Sequence, residues 1–447
     1  MNTTMSTRES EPPAQPSSPP TAPALLFRTL CAALIFTFCA ITLIADDIGS
    51  AMFFVLALMG FVTAFYPKQQ EPVPREIKLV FFAIGLFFVV ALLAYVIVDG
   101  SDNGYKRLGR YARFLLAIPI YYTLRRARPD IAALWWGVCV GAIVAGLAAM
   151  DQMWWQVWYA SSDRASGSVN PIIFGNISLL LAALSLAGSG YFSKIHRGLL
   201  VVPGLAALMG MCASFLSGSR GGWLALPALA IVFAWYARDK LKAWQLATLG
   251  VLLTAFCLAA WYVPQSGVHA RIDEAAQEIS DYFNKHEVDT SVGQRLEMWK
   301  AAWMIFRQHP VLGVGMGGFS VEKQALIDAG KLDPAVASFL HPHNEYAAAL
   351  ATRGIIGFIT LLLLFGMIGK VFYDMARRPH PAAQLAGIAG LIVVVSYAHF
   401  GISGDTFDRT LPITFFTFLV ATLATLAPAE SKKGAELVNQ RHRQEPS

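Results

Sequence analysis

Long apolar runs recur along almost the whole of this 447-residue chain, and they constrain its fold more than any other feature. Hydrophobic residues make up 55% of the sequence and charged residues only 14%, whereas a soluble domain carries about 25% charge. A run of about 20 apolar residues is long enough to cross a bilayer as a helix. The sequence therefore predicts an all-α polytopic membrane protein.

About twelve transmembrane helices are predicted, of which the fourth and the eighth are short. Their approximate ranges are 25–44, 49–66, 78–98, 111–124, 131–150, 171–191, 199–217, 222–236, 244–263, 354–373, 383–402 and 409–427. The first run is too long for a cleavable signal peptide and follows a Pro/Ser-rich leader. We therefore divide the chain into a disordered leader, a bundle of about nine helices, a polar cap, a bundle of about three helices and a tail. These regions are 1–24, 25–263, 264–353, 354–427 and 428–447.

The positions of Lys and Arg orient the predicted bundle, because short cytoplasmic loops carry an excess of them. With the N-terminus in the cytoplasm, most short basic segments fall on the cytoplasmic side, and the even number of spans returns the C-terminus to it. The exception is a basic cluster on the outer side, formed by Lys106, Arg107, Arg110 and Arg113. The net charge of +6 is explained mostly by this topology, so no nucleic-acid partner is expected.

Several classes of site have no support in the sequence. The five cysteines lie within predicted spans and lack metal-ligand spacing, so we assign them to packing; they are Cys31, Cys39, Cys139, Cys212 and Cys257. No Walker A motif, Rossmann fingerprint or HExxH motif is present. We therefore expect no cofactor and no metal.

The segment between the ninth and tenth predicted spans is far longer than an ordinary connection. HARIDEAAQEISDYFNKH has helical periodicity, and QRLEMWKAAWMIFRQHP is predicted to be an amphipathic helix that ends at Pro310. Its predicted apolar stripe consists of Leu296, Trp299, Trp303 and Phe306. The glycines of GVGMGGF indicate a tight turn. We predict a helical cap on the outer membrane face.

Six arginines are predicted at one depth, the outer interface: Arg110, Arg113, Arg164, Arg220, Arg295 and Arg353. Arginine is always charged and binds phosphate oxygens in a bidentate manner, so converging arginines indicate a phosphate or diphosphate site. Alternatively, interfacial arginines snorkel and anchor helix ends. Anchoring suits Arg220 less well, because it lies between Ser-Gly-Ser and Gly-Gly, a backbone suited to close approach.

His343 lies where the polar segment re-enters an apolar helix, in the sequence HNEYAAALATRGIIG. A histidine titrates near neutral pH and can take a proton from a hydroxyl, which would give an acidic limb near pH 6.5 displaced somewhat by nearby arginines. Asn344 is predicted to cap the helix, and Gly354 and Gly357 to let it pack closely. His341 is predicted to be structural or acceptor-facing. Asp405, Asp408 and Arg409, in the last outer loop, could support the site residues from behind, but we favour the interpretation that they form a solvated turn.

The order SGSRGGW, SVGQRLEMWKAAW, HPVLGVGMGGF and HN-x9-GxxG resembles the O-antigen ligase/polymerase superfamily of bacterial inner-membrane enzymes. The similarity extends from about Arg164 to Gly357. The family's histidine falls on His343 and its two periplasmic arginines on Arg220 and Arg295. RASGSVNPIIFG resembles a further family segment, which makes Arg164 a lesser candidate. Many relatives carry an acid at the position of Arg353, so another carboxylate, such as Glu345, would have to orient the histidine.

The resemblance implies a periplasmic glycosyltransferase. A glycan on undecaprenyl diphosphate would be transferred to lipid A-core by inverting, metal-independent chemistry. The implied catalytic residues are His343, Arg220 and Arg295, with substrate contacts from Arg164, Arg353, Asn344, His341 and Arg110. The alternatives are a repeat-unit polymerase or a protein O-oligosaccharyltransferase with the same donor chemistry, and, in a different class, a transporter or flippase. A transporter would need ionisable residues near the midplane, and the predicted spans contain few.

Overall fold

A computed structural model of the protein describes residues 21–64, 72–159, 163–238 and 268–427. Within these ranges the regular structure is helical and contains no β-strand, so the predicted all-α membrane fold is confirmed. Nine of the described helical segments are long and apolar enough to cross a membrane. The predicted number of twelve is not confirmed, and the predicted ninth span, 244–263, lies outside the described residues.

We number the described α-helices α1 to α15 in chain order. The first nine are α1 (Ala22–Ile41), α2 (Asp46–Ala64), α3 (Arg75–Ala94), α4 (Asp102–Tyr111), α5 (Ala117–Ala127), α6 (Ala132–Met150), α7 (Pro171–Ile195), α8 (Val201–Leu216) and α9 (Ala225–Ala237). The cap contains α10 (Val268–Lys285), α11 (Ser291–Gln308) and α12 (Phe319–Asp328). The last three are α13 (Glu345–Ala376), α14 (Pro381–Ser403) and α15 (Thr410–Ala424).

The predicted fourth span, 111–124, is not a single straight helix. It consists of the end of α4, a 3₁₀ turn at Ala112–Leu116 and the start of α5. The physical reason is that α4 has the polar sequence DNGYKRLGRY, which leaves the apolar run after it too short to cross a bilayer as a straight helix. The polar helix α4 instead brings its arginines to one end of the bundle.

The centre of the bundle is formed by helices that are apolar on every side, as expected of interior helices. Every residue of α15 from Leu411 to Ala424 is buried, and α7 packs against α14 and α8. Cys31, Cys39 and Cys139 are buried free thiols, in agreement with a packing role. The start of α7, the start of α13 and the turn between α14 and α15 meet at one end, where they line a common cleft.

A break at Gly354 divides α13 in two. Its φ of 62° and ψ of −159° are not helical, and a Cβ here would lie 2.3 Å from the carbonyl oxygen of Val311. The glycine-rich segment of the cap fills the break, where Ile355 N–H donates to Pro310 O (2.8 Å) and Val314 N–H to Ala351 O (3.0 Å). Gly354 therefore permits the close packing that was predicted, but it does so at a break in the helix, which was not predicted. It is the hinge point at which α13 leaves the cap.

The cap helix α11 buries a different face from the predicted one. Its buried side chains include Met298, Ala301, Ala302 and Ile305, whereas Trp303 of the predicted stripe is 54% exposed. The prediction failed because tertiary packing favoured the face with small side chains, which allows α11 to lie close to the first half of α13. The predicted end of the helix before Pro310 is confirmed.

Candidate active site

An open cleft of roughly 600 Å³ lies at the end of the bundle where α7, α13, α14 and α15 meet. It is apolar on the α7 side and carries imidazole, carboxylate and guanidinium groups opposite. The lining residues are Asn170, Ile172, Ile173, Asn176, Ile177, His341, His343, Phe400, Gly404, Asp405, Thr406, Arg409 and Pro412. Both predicted histidines therefore face the same cleft.

His343 has a left-handed backbone conformation, with φ of 52°. This region is unfavourable for a residue with a side chain and persists only where the surroundings impose it. The next residue, Asn344, caps α13 as predicted, and its side-chain oxygen accepts hydrogen bonds from Tyr346 N–H (2.9 Å) and Ala347 N–H (3.0 Å). Its amide also donates to Ile402 O (3.0 Å), at the end of α14. The imidazole is thus presented from a fixed corner of the chain.

Asp405 imposes the conformation of this corner. One carboxylate oxygen accepts the N–H of His343 (2.9 Å), and the other accepts the N–H of Asn344 (3.1 Å). Asp405 is only 7% exposed, so the interpretation of this residue as part of a solvated turn is wrong. The reason is a long-range pairing: the α14–α15 turn folds back onto the start of α13. Asp405 therefore orients the histidine through the main chain.

His341 contacts the same carboxylate. Its Nδ1 lies 2.7 Å from the Oδ2 of Asp405, and its Nε2 lies 3.5 Å from the Nη2 of Arg409. The rings of His341 and His343 are perpendicular, with centroids 4.6 Å apart. His341 therefore has a carboxylate in ion-pair range of its Nδ1, without hydrogen-bond geometry, and a guanidinium beside its Nε2, whereas, among the described residues, no hydrogen bond or ion pair engages the ring nitrogens of His343. This difference favours His343 as the ring that acts on a substrate.

The surroundings keep the imidazole of His343 neutral. Burial, then the proximity of His341 and the charges of Arg295 and Arg409, together lower the pKa of His343 to about 4, against the opposing effect of Asp405. At neutral pH the ring can therefore accept a proton. The contribution of Arg295 also indicates that the cap helix α11 brings this arginine into electrostatic range of the histidine.

His341, His343 and Asp405 offer ligand atoms within 4.8 Å of one another, a spacing that could hold a cation. The hydrogen bonds suggest another use for the group. Both oxygens of Asp405 already accept backbone N–H groups, and one of them also contacts His341. A metal would have to replace these contacts, which maintain the left-handed backbone. The arrangement fits an orienting carboxylate better than a metal ligand.

Arg353 faces the interior behind the cleft. It is 1% exposed, lies over the rings of Phe87 and Tyr111 at 5.1 and 5.0 Å, and has its Nη2 3.5 Å from the Oε1 of Glu345. The other carboxylate oxygen of Glu345 accepts the N–H of Phe407 (2.9 Å). Arg353 and Glu345 thus support the turn that carries Asp405. In this geometry Arg353 contacts the supporting network, and its predicted contact with substrate stays untested.

Arg110 belongs to a second supporting contact. Its Nη1 lies 2.9 Å from the Oδ1 of Asp408, which also lies 3.3 Å from the Nε of Arg107. Arg107 in turn donates to the carbonyl oxygens of Met316 (2.9 Å) and Leu340 (3.2 Å) in the cap. The outer basic cluster therefore joins α4, the cap and the α14–α15 turn. The predicted substrate contact of Arg110 stays untested.

Arg220 and Arg164 lie on the turn between α8 and α9 and the loop beside it. Arg220 is exposed and begins a 3₁₀ helix, Arg220–Leu224. The next two glycines pack so closely on Ser403 and Asn176 that a Cβ would lie 2.1 and 2.3 Å from their side-chain oxygens. Arg164 donates from Nε to Ser217 O (2.7 Å). Since Asn176 lines the cleft, the turn that carries Arg220 lies beside it, although neither Arg220 nor Arg164 is a lining residue.

Comparison with known proteins agrees with this geometry. The family model described as O-Antigen ligase matches residues 205–362, a range that includes Arg220, Arg295, His343 and both glycines of the HN-x9-GxxG motif. This match, which covers about a third of the chain, supports the O-antigen ligase superfamily. Together with the nine apolar helices among the described residues, it supports a multi-pass bacterial membrane protein of a glycosyltransferase-like family.

Two relatives extend the comparison beyond the motif region. An uncharacterized protein of Haemophilus influenzae is 23% identical over 346 residues, which cover 77% of this chain and 84% of the relative. The O-antigen ligase of Escherichia coli K12 is 25% identical over 269 residues, 59% of this chain and 60% of that protein. The similarity therefore includes helices outside the cap. At these identities, the substrate of a relative does not establish the substrate of this chain.

Sequence reasoning named Asp405, Glu345 and Arg353 but did not predict how they hold the site together. Asp405 is the most important, since it binds the main chain at His343 from 62 positions away. Its signal was an acid that follows Gly404 between two predicted spans. Glu345 and Arg353 lie eight positions apart on the same half-helix, beyond the three- or four-residue spacing of ordinary helical ion pairs, so their contact was not predicted.

Proposed function

We propose that this protein transfers a glycan from undecaprenyl diphosphate to a hydroxyl of lipid A-core, as an O-antigen ligase acting on the periplasmic face of the inner membrane. The observation that carries the proposal is the neutral imidazole of His343, which a buried carboxylate holds in a strained backbone conformation beside a cleft at the end of the bundle. Arginines beside the cleft and in the cap supply the positive charge that a diphosphate requires.

In the proposed reaction, His343 takes the proton of the acceptor hydroxyl as its oxygen attacks the anomeric carbon. The new glycosidic bond forms on one face of the sugar while the bond to the diphosphate oxygen breaks on the other, so the configuration is inverted. The bonding electron pair leaves with the diphosphate. The proton then passes from His343 to the departing diphosphate or to water, which restores the neutral base.

Arg220 and Arg295 are proposed to stabilise the charge that develops on the leaving diphosphate. Burial lowers the pKa of Arg295, and Glu278 raises it. A guanidinium remains charged under such conditions, because its ordinary pKa is above 12. A partly desolvated cation interacts more strongly with an anion than an exposed one does. Arg164 is proposed as a lesser contact of the same diphosphate.

The proposal includes transfer without a metal, since fixed guanidinium groups would replace the cation that many diphosphate enzymes use. The test is to treat the purified protein with EDTA and measure transfer from a defined lipid-linked glycan. Unchanged transfer would support the proposal. A loss of activity that added Mg²⁺ or Mn²⁺ restores would overturn it, and the cluster of His341, His343 and Asp405 would then be the first site to inspect.

The acceptor is tested by deleting the gene and separating the lipopolysaccharide on a gel. Loss of a ligase leaves bare core, with polymerised glycan retained on its lipid carrier. Loss of a repeat-unit polymerase leaves core that bears single repeats, and loss of a protein O-oligosaccharyltransferase leaves the lipopolysaccharide unchanged. Complementation with the wild-type gene and with His343→Ala separates loss of catalysis from loss of the protein.

A further inference from the structure

One fully buried lysine lies in the cap, away from the cleft. Lys323, on α12, is 1% exposed. Its ammonium group donates to the carbonyl oxygens of Val336 (2.6 Å) and Ala337 (2.8 Å) and to that of Phe339. An ammonium has three N–H donors, and here each meets a backbone carbonyl. Burial lowers the pKa of Lys323, and the three carbonyls compensate in part for the lost solvation.

The carbonyls bound by Lys323 belong to the segment that leads into the active-site histidines. Several side chains fix the main chain of this segment from different helices. Glu297 accepts the N–H of Asp333 (3.1 Å), Arg107 donates to Leu340 O (3.2 Å), and Trp299 donates to Pro342 O (3.0 Å). Lys323 adds three further hydrogen bonds to this main chain. Each of the other three side chains named makes one, so Lys323 restrains residues 333–342 at more points than any of them.

The segment also contacts the proposed base directly. The ring of Phe339 lies against the imidazole of His343 in an edge-to-face arrangement, with the centroids 5.7 Å apart. The carbonyl of Phe339 is one of the three that Lys323 holds. A shift of this carbonyl would therefore move the aromatic ring that contacts the imidazole.

We propose that Lys323 is a positioning residue for His343: it fixes residues 336–339 so that Phe339 limits the motion of the imidazole, while Asp405 fixes its backbone. The inference rests on the proposed role of His343 as the general base. It assigns a function in the reaction to a lysine that the family motifs do not include. All three N–H groups of Lys323 are occupied, so the residue acts through the loop and makes no contact with substrate.

The test compares Lys323→Met, which keeps the aliphatic stem and removes the donors, with two controls. Lys331→Met makes the same chemical change at an exposed position of the cap, and Leu326→Ala weakens the packing of α12 without removing a donor. In an assay with defined donor and acceptor, we expect Lys323→Met to lower kcat about 10²-fold. We expect the KM for the donor to change little, because the arginines are not displaced.

A second readout does not depend on transfer. Diethylpyrocarbonate acylates neutral imidazole, and mass spectrometry measures the modification of His343 and His341 separately. We expect Lys323→Met to change the rate at His343 relative to His341, and neither control to do so. If His343→Ala proved fully active, the proposed base would be wrong, but the labelling comparison would still test whether Lys323 positions this ring.

Two outcomes would overturn the proposal. One is a Lys323→Met enzyme with wild-type kcat and wild-type labelling of His343. The other is an equal loss of kcat in Leu326→Ala at matched thermal stability, which would make Lys323 a structural residue only. If Lys323→Met does not accumulate in membranes, Phe339→Leu tests the same link from the other end. A Phe339→Leu enzyme with unchanged kcat and labelling would also overturn the proposal.

Discussion

Two sides of the candidate active site are built differently. On the histidine side, which consists of His341, His343 and Asp405, the geometry is fixed by buried hydrogen bonds and a strained backbone. On the arginine side, which consists of Arg164, Arg220 and Arg295, long side chains extend from an exposed turn and from a cap helix. The histidine side is thus fixed through main-chain contacts to one buried carboxylate, whereas the arginine side is assembled from long side chains on three separate segments.

The difference follows from what each side would have to do. A general base must lie within hydrogen-bond reach of the proton it removes, so small displacements reduce the rate strongly. A diphosphate on a long lipid arrives in variable positions, and several guanidinium groups can adjust to its oxygens. Ordering an exposed arginine costs side-chain entropy, and donor binding would offset that cost only when the correct anion is present.

The largest expected effect is on the histidine side. His343→Ala should lower kcat by about 10²–10⁴-fold, the usual contribution of a general base, and should leave donor binding largely intact. His341→Ala should lose far less, because His341 contacts the carboxylate that orients His343 and is not itself the proposed base. The measurement is transfer by purified protein, with equal membrane levels of both variants as the control. An active His343→Ala enzyme would contradict the assignment of His343 as the general base.

On the arginine side, Arg220→Lys and Arg295→Lys keep the charge and lose the planar fork. Each should lower transfer by about 10²-fold or somewhat more, as expected when one group that stabilises charge in the transition state is lost. Arg110→Lys is the matched control, since its partner is Asp408 and a lysine can maintain that ion pair. Near-wild-type rates for both test variants would show that bidentate binding is not required.

The asymmetry between the two sides also explains what could be predicted from the sequence. Local rules identified the capping role of Asn344, and the family motif identified His343 as a candidate base, because capping and motif register depend on neighbouring residues. Apolar runs predicted the class of fold for the same reason. Gly354 was recognised as important, but its left-handed break depends on the cap segment at Val311 and was not predicted.

The missed features all depend on contacts between distant parts of the chain. Asp405 meets His343 and Asn344 only because α14 and α15 return to the start of α13. The buried face of α11 was misassigned because an amphipathic pattern gives the most apolar stripe, whereas packing against α13 selected the face with small side chains. Candidate reactive groups are therefore easier to predict from the sequence than the groups that hold them in place.

Asp405→Asn tests whether the histidine side is fixed in advance. The amide keeps the shape of the side chain but replaces one acceptor oxygen with an NH₂ donor that would face a backbone N–H. One hydrogen bond is lost, so the left-handed backbone at His343 should no longer be held in place. We expect kcat to fall roughly 10-fold to 10²-fold, in line with a small displacement of a reacting group. Asp408→Asn, three residues along, weakens the contacts with Arg107 and Arg110 and is the control. Equal losses in both variants would contradict a specific role for Asp405.

A smaller effect, on stability, is expected at the break in α13. Gly354→Ala places a side chain at φ 62° and ψ −159°, a combination essentially restricted to glycine, at a cost of roughly 1–3 kcal/mol, and its Cβ would also collide with the carbonyl of Val311. Gly366→Ala, on the same helix in open space, should be neutral or slightly stabilising, by at most about 1 kcal/mol. Thermal unfolding in detergent measures both. Equal melting temperatures would mean that the break at Gly354 is not required.

The smallest expected effect is a displacement of the pH profile, and it depends on both sides of the site. The pKa of His343 is lowered to about 4, first by burial and in part by Arg295. The imidazole is therefore neutral above about pH 4, and kcat/KM, which reports the free enzyme, should be lost only as the pH falls through that value. The acidic limb of the pH profile should therefore lie at a lower pH than the value near 6.5 expected for an unperturbed histidine.

Removing the positive charge in Arg295→Gln should raise the pKa of His343, so the acidic limb should move to higher pH even though the maximal rate is reduced. Arg110→Gln is the control, since Arg110 is not among the groups that shift this pKa. The pH dependence of thermal unfolding, measured over the same range, separates titration from denaturation. A wild-type limb near 6.5 that Arg295→Gln leaves in place would show that the arginine side does not act on the histidine through its charge.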